Sequence, residues 1–514
     1  MADIVKEGRP LRRFELTRGE ALERFSDNRY KVEMIDEMPD DEVISVYEQG
    51  DTFADLCRGP HLPNLSRVRA FKLLKVAGAY WRGDAKNQML QRIYGISFEK
   101  PKELKIYLNM LEEAKKRDHR KLGRELDLYS FHEEGQGFPF WHNKGSIIYH
   151  ELTDFIRSEC AKRDYTEVRT PMILNQDLWQ RSGHWDHYAD AMFFCDIDEK
   201  PHAVKPMNCP GGMIVYKTKL HSYRDLPIRQ SELGMVHRNE LSGVLHGLFR
   251  VRAFTQDDAH IFCTMDQLHD EVVKLVEFCI EVYRLFGFSD PEIKISTQPE
   301  KHIGSEEEWD TATQALKDSL ESLEVPYTID EGDGAFYGPK IDFDIRDSLN
   351  RRWQCGTVQV DFQMPGRFDL QYEGADGKSH RPIILHRTIL GSVERFIGIL
   401  IEHTAAKLPL WISPIQARIV PVTDGHLPYA EKVLSQLTAG GIRIEIDRRS
   451  ESLGKKIRAA QLEQVNYILV VGDKEVEAEG VNVRTRDNVV HGLRTIPELL
   501  AELQEEISSR RLPQ

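Results

Sequence analysis

Apolar residues recur along this chain with different periods, and each period predicts a different kind of element. Between positions 118 and 409, runs of β-forming residues alternate with stretches of helical spacing, which predicts a mixed or antiparallel sheet with helices packed on it. Inside that region Val393, Phe396, Ile397, Leu400 and Ile401 follow the spacing of a helix buried on one face. Farther on, 417–422, 442–446 and 467–471 are short apolar runs separated by helical stretches, the pattern of an α/β module. Lys102 to Lys121 carries Leu104, Leu108 and Leu111 among lysines and glutamates, so an amphipathic connecting helix is predicted there. Residues 1–100 form a further α/β segment. The breaks in pattern divide the chain into 1–100, a helical linker at 101–117, 118–409, and 410–514, the last opening at Leu410-Trp411-Ile412-Ser413-Pro414. No internal repeat or low-complexity tract is present. The fold class is therefore α+β and α/β, multidomain.

One predicted strand has a face unsuited to a core. If Arg250 to His260 is extended, side chains alternate, and Arg250, Arg252, Phe254, Gln256, Asp258 and His260 point the same way. Guanidinium groups bind phosphate oxygens through forked hydrogen bonds, and an aromatic ring between two of them suits a flat adenine. Arg238-Asn239-Glu240 precedes this strand across a short loop. Arg395 falls in the first turn of the helix that begins after Gly391, where the macrodipole disfavours a cation unless an anion is also bound. A nucleoside triphosphate would supply that anion. A solvated edge strand is the bland alternative, but edge strands rarely combine Phe, Gln and His with acidic neighbours.

Composition narrows the class. At 514 residues and 40% hydrophobic, the chain is long enough for about three domains with real cores. The first residues carry no apolar signal segment and no apolar run reaches membrane-spanning length, so a soluble protein is expected. Seven scattered cysteines argue against a disulfide framework and fit a reducing cytoplasm. The formal charge of -14 offers no overall attraction to nucleic acid. Basic residues are clustered, however, at 115–121 and at Arg448, Arg449, Lys455, Lys456, Arg458, Arg484 and Arg486, and local patches can bind phosphates.

The Arg-x-Glu segment, the Arg-x-x-x-Phe strand and the Gly-x-x-x-Arg helix together resemble motifs 2 and 3 of class II aminoacyl-tRNA synthetases. Longer blocks narrow the resemblance to the threonyl-tRNA synthetase family: Gly183-His184-Trp185, Lys205-Pro206-Met207-Asn208-Cys209-Pro210-Gly211, Asp257 to Cys263, Gly334 to Lys340 and Gln354 to Gln359. The resemblance covers essentially the whole chain. Gly212 departs from it, since many members carry His after Cys-Pro-Gly. What the resemblance implies is an antiparallel-sheet catalytic domain at 118–409, an anticodon-binding domain at 410–514, and ligation of threonine to tRNA(Thr) through an adenylate, by a homodimer. Zinc, one ion per chain, would be held by Cys209, His260 and His386, with an open position for the amino group and hydroxyl of threonine; valine lacks the hydroxyl and is rejected. Taken alone, each of these three residues would read as a packed core residue. Met207, Gln256, Asp258, Tyr337 and Gln359 would line the amino-acid pocket.

By the same resemblance ATP, with Mg2+, would meet Arg238, Glu240, Arg250, Phe254, Gln354, Thr357 and Arg395, with Arg238 on the α-phosphate. Arg238, Arg395, His184 and Lys340 are the expected catalytic residues, His184 beside the terminal ribose of tRNA. Glu475 and Arg484 would read anticodon bases, each with a solvated turn as the plain alternative. At the front, Lys31, Asp55, Cys57 and His61 match an editing site that clears Ser-tRNA, but its first histidine pair has no counterpart before His61. Residues 1–100 are therefore expected to be a partial editing domain of an N-terminally shortened member, with impaired editing. Other class II ligases, and a tRNA- or mRNA-binding regulator, are the competing readings. The three metal candidates oppose the first and the three arginines the second.

Overall fold

The computed structural model describes residues 1–50, 53–84, 86–510 and 512. It divides into two compact units, Met1–Glu113 and Ala114–Gln514.

In the first unit, strands β1 (Leu11–Leu16), β2 (Ile44–Gln49) and β3 (Phe53–Leu56) form an antiparallel sheet. Helices α1 (Arg18–Arg24) and α2 (Arg29–Asp36) cover it, and Ala21, Phe25, Ile35, Ile44 and Val46 make a small core. A long hairpin follows, β4 (Ala70–Tyr80) paired with β5 (Met89–Phe98). Helix α3 then runs from Pro101 to Arg117. The predicted helix to Lys121 is not continuous: Asp118 accepts the Arg120 amide and caps a separate helix, His119–Glu125. A capping carboxylate placed inside a helical pattern ends one helix and starts the next.

The second unit is built on an eight-stranded sheet. Its strands are β6 (Thr166–Glu167), β7 (Ile228–His237), β8 (Ala253–Cys263), β9 (Glu292–Ser296), β10 (Tyr327–Asp330), β11 (Lys340–Arg346), β12 (Arg352–Asp361) and β13 (Ile383–Thr388), in the order β10-β9-β11-β12-β13-β8-β7-β6. Only the outermost pairings, β9 with β10 and β6 with β7, are parallel. One face of the sheet is closed by the helices Asn143–Ala161, Met265–Leu285 and Val393–Thr404, whose apolar residues share a single large core with it. Val393–Thr404 is buried more completely than one-sided periodicity predicts, because Glu394, Gly398, Ile399 and Glu402 are also buried.

Beyond Pro414 a five-stranded mixed sheet, Ile444–Ile446, Ala417–Pro421, Tyr467–Val471, Gly480–Thr485 and Val490–Thr495 in spatial order, has its own apolar core. Arg443 ties this module to the helix Asn143–Ala161 through Glu151 and also donates to the carbonyls of Trp411 and Ser413. No helix among the described residues is long and apolar enough to cross a membrane, and all seven cysteines are free thiols.

Candidate active site

The uncovered face of the eight-stranded sheet carries two adjoining cavities, and strand alternation explains why. Along β8, Thr255, Asp257, Ala259 and Ile261 turn into the core, while Phe254, Gln256, Asp258 and His260 turn outward. The larger cavity, about 410 Å³, is lined by Arg238, Glu240, Arg250, Phe254, Gln354 and Arg395 among others. The smaller, about 190 Å³, is lined by Met207, Cys209, Asp258, His260, Tyr337, Gln359 and His386. Arg238, Gln256, Thr357 and Thr388 line both. A molecule in one cavity and a molecule in the other therefore meet at Arg238, whose guanidinium lies 5.1 Å from the Phe254 ring centroid.

Arg250 and Arg252 precede β8 rather than belonging to it, and they diverge. Arg250 lines the larger cavity and pairs with Glu240 at 2.8 Å. Arg252 turns away, donating to the carbonyls of Glu240 and Gln136 and to the Ser242 hydroxyl, so the shared face begins at Phe254. Arg395 is the third residue of its helix, and Ser392 caps its amide. Its Nε is buried with no hydrogen-bond partner. Asp257, which the sequence motif contains without a stated role, sets this helix start: its carboxylate accepts the amides of Ile389, Leu390 and Gly391. Gly391 has φ +75, and a Cβ there would sit 2.5 Å from the Cys355 carbonyl.

Next to Arg395, Glu394 accepts the Thr255 amide and the Ser392 hydroxyl inside the core. Burial pushes its carboxyl up to about 7 from 4.5. Because the folded protein holds this proton more tightly than the unfolded chain, stability falls as pH rises from 4.5 through about 7 and is level above it. The full penalty is about 3 kcal/mol. Glu394→Gln removes it, so the variant's unfolding midpoint is expected to gain on the wild type between about pH 5 and about pH 8. Thermal melts at both pH values check this; a gap that does not widen with pH would contradict it.

In the smaller cavity, one ligand atom from each of Cys209, His260 and His386 lies within 4.8 Å of the others. Cys209 opens the helix Cys209–Tyr216, and His260 and His386 are register partners on β8 and β13. Burial pushes the Cys209 thiol well above its usual range and drives the His260 imidazole well below its own. Cys209 offers a sulfur that a bound metal would convert from thiol to thiolate, and His260 a neutral imidazole nitrogen; one sulfur with imidazole nitrogens is a donor set that fits zinc. Asp258 sits beside them, pushed up to about 6 by burial although the Asn208 amide, at 2.7 Å, pulls it down. Asn208, a motif residue for which the sequence implies no role, holds Asp258, and Gly234 leaves the room, since a Cβ there would lie 2.2 Å from Asn208 Oδ1. Gln359 is held by donating to the Gly338 carbonyl.

Lys340 and His184 line neither cavity. Lys340 pairs with buried Asp342, which also accepts from the Thr357 hydroxyl. His184 is fully buried, with Nδ1 at 2.8 Å from Ser182 Oγ and Nε2 at 3.0 Å from Met207 Sδ. In the C-terminal module Glu475 accepts the Gly472 amide at a helix start, and Arg484 lies half-buried on a strand. Two members of the expected basic patch are buried: Lys456 donates to the Pro421 carbonyl, and Arg486 to the carbonyls of Leu408, Gln464 and Lys407.

The first unit brings its four residues together as two pairs. Lys31 bridges Asp55 at 2.8 Å, and Cys57 Sγ lies 2.9 Å from His61 Nε2, with the imidazole stacked on Tyr47. A cavity of about 700 Å³ in this unit is lined by Trp81, Arg82 and Arg92 and not by Cys57 or His61.

Comparison with known families matches three segments of the chain. Residues 193–404 match the class II tRNA synthetase core domain (G, H, P, S and T), 416–506 an anticodon-binding domain, and 44–94 the second additional domain of threonyl and alanyl tRNA synthetases. The fold is that of a class II aminoacyl-tRNA synthetase. The chain is 56% identical over 509 residues to a threonine–tRNA ligase of Clostridium botulinum (strain Okra / Type B1), covering 99% of this chain and 80% of the relative. It is 55% identical over 514 residues to that of Caldanaerobacter subterraneus subsp. tengcongensis, again spanning 80% of the relative. A crystal structure described as the RNA-binding domain of threonyl-tRNA synthetase from Cryptosporidium parvum Iowa II superposes with a TM-score of 0.74 at 44% identity, covering 77% of this chain and 99% of that one. The chain belongs to the threonyl-tRNA synthetase family.

Proposed function

We propose that this chain joins threonine to tRNA(Thr) by way of a threonyl-adenylate formed where the two cavities meet. The observation that carries the reading is Arg238, which lines both cavities and so can hold the α-phosphate while the amino-acid carboxylate attacks it. Arg250 and Arg395 take the outer phosphates of ATP, accompanied by Mg2+, and Phe254 covers the adenine beside Glu240, Gln354 and Thr357. Fixed cations aimed at developing charge, and alignment of the two substrates, supply the rate. All three arginines reach the nucleotide cavity, which favours catalysis over a purely regulatory role.

Selection of threonine is proposed to rest on Cys209, His260 and His386. These residues would hold zinc, which would supply a Lewis-acidic centre for the amino group and hydroxyl of the substrate. Asp258, fixed by Asn208, accepts from that amino or hydroxyl group, and Tyr337, whose hydroxyl burial keeps protonated, can donate. Met207, Gln256 and Gln359 close the pocket. Buried polar groups left unpaired by valine allow discrimination of about 10⁴ to 10⁵. Amino-acid-dependent ATP–pyrophosphate exchange tests the reading: threonine is expected to support exchange and valine not, and equal rates with the two would overturn it.

For the second step, His184 and Lys340 are proposed to act near the tRNA 3′ end, and Glu475 and Arg484 at anticodon bases. The reading places the enzyme in the cytoplasm as a homodimer. Residues 1–100 are proposed to be part of an editing domain. Serine keeps the hydroxyl and differs by one methyl group, worth only about 1 to 3 kcal/mol. No histidine pair before His61 accompanies the Cys57–His61 and Lys31–Asp55 pairs, so slow hydrolysis of Ser-tRNA(Thr) is expected; rapid hydrolysis that is lost in Cys57→Ala would contradict this.

A further inference from the structure

His386 does not stand alone on its strand. Its Nε2 lies 2.9 Å from Oδ2 of Asp361, the last residue of β12. Gln359 is the register partner of His386, and Asp361, two residues along, projects from the same face. The Asp361 side chain is wholly buried. Its other oxygen, Oδ1, accepts the amides of Gln363 at 2.8 Å and Met364 at 2.9 Å, where the chain turns into the short helix Met364–Arg367. The carboxylate therefore cannot rotate without breaking two main-chain hydrogen bonds.

We propose that Asp361 is a positioning residue that makes His386 a metal ligand by fixing its tautomer. A neutral imidazole carries one N–H. A carboxylate is an acceptor only, so Nε2 must carry that proton, and Nδ1 is left with the lone pair that a metal requires. The same hydrogen bond fixes the plane of the ring. This inference rests on the zinc reading of Cys209, His260 and His386, and it goes beyond that reading by naming what prepares one of the three.

Asp361→Asn has a determinate consequence. The amides of Gln363 and Met364 still demand the oxygen, so the substituted amide turns its NH2 toward His386 Nε2. Nε2 then becomes an acceptor and the proton moves to Nδ1, the atom needed for the metal. Asp361→Ala behaves differently: it leaves Nε2 to find its own partner, so either tautomer is open, but it strips both amides of their acceptor.

Two measurements on the full chain separate these effects: zinc affinity by competition with a chromophoric chelator, and thermal unfolding of the metal-free protein. Asp361→Asn is expected to bind zinc at least about tenfold more weakly than wild type, and more weakly than Asp361→Ala. Metal-free stability is expected to be close to wild type in Asp361→Asn and lower in Asp361→Ala. With Co2+ in place of zinc, the visible absorption bands of Asp361→Asn should be weakened or shifted. Wild-type zinc affinity and an unchanged Co2+ spectrum in Asp361→Asn would overturn the proposal. So would a loss of zinc that only tracks loss of metal-free stability across both variants. If wild type itself binds no zinc, or binds it equally after Cys209→Ser, the underlying metal reading fails instead, and the role of Asp361 with it.

Discussion

Arg395→Ala abolishes threonine-dependent pyrophosphate exchange and leaves the protein folded: that is the largest effect expected of any single substitution here. The helix Val393–Thr404 is held by Val393, Phe396, Ile397, Leu400 and Ile401, all at most 1% exposed, and Arg395 is not among its apolar contacts. Its guanidinium instead reaches the larger cavity, with a buried Nε that has no partner and the Trp353 ring 6.0 Å away. A cation held near the positive end of a helix dipole is costly unless an anion joins it. Removing one such group from developing charge typically costs about 10²- to 10³-fold in rate, and the loss of ATP binding adds to that. Arg238→Ala should be as damaging, because Arg238 is the arginine that faces both cavities. Exchange kinetics and a thermal melt of each variant are the check; exchange near the wild-type rate in either would remove that arginine from the reaction.

Cys209→Ser is expected to lose zinc and threonine activation together. Serine preserves the shape of a side chain that is 5% exposed and belongs to the same buried cluster as Met213 and Phe262, so the fold should persist. What changes is the donor, from a sulfur that zinc can draw to thiolate to a hydroxyl that it binds poorly. Metal analysis should give about one zinc per wild-type chain and a clear deficit in the variant. A zinc-free preparation with full threonine-dependent exchange would contradict the role proposed for Cys209, His260 and His386.

Local structure was legible in the sequence where one residue's environment depends on its neighbours a strand or a turn away. The alternation of β8 and the spacing of Val393, Phe396 and Ile397 are of that kind. Arg252 shows the limit: the alternation from Arg250 starts three residues too early, because the chain enters the sheet only at Ala253 and loop carbonyls capture the guanidinium first. Main-chain acceptors also explain Lys456 and Arg486, which count as charge in the sequence but are buried against carbonyls. Three metal candidates in three separate segments could be grouped only through a family resemblance. Asn208 and Asp257 lie in family motifs that give them no role, and Asp361 lies outside every motif. Each acts through the register of a neighbouring strand or through amides of a loop, and neither is written in side-chain identity.

Threonine is proposed to be selected by direct contact with a metal held by Cys209, His260 and His386. Zinc-edge X-ray absorption of the purified protein, recorded without amino acid and then with threonine or valine, tests it most directly. Expected are one sulfur and two imidazole ligands throughout, with further oxygen and nitrogen neighbours appearing on addition of threonine and no such completion with valine. A zinc environment that is unchanged by threonine, or that contains no sulfur, would contradict the claim.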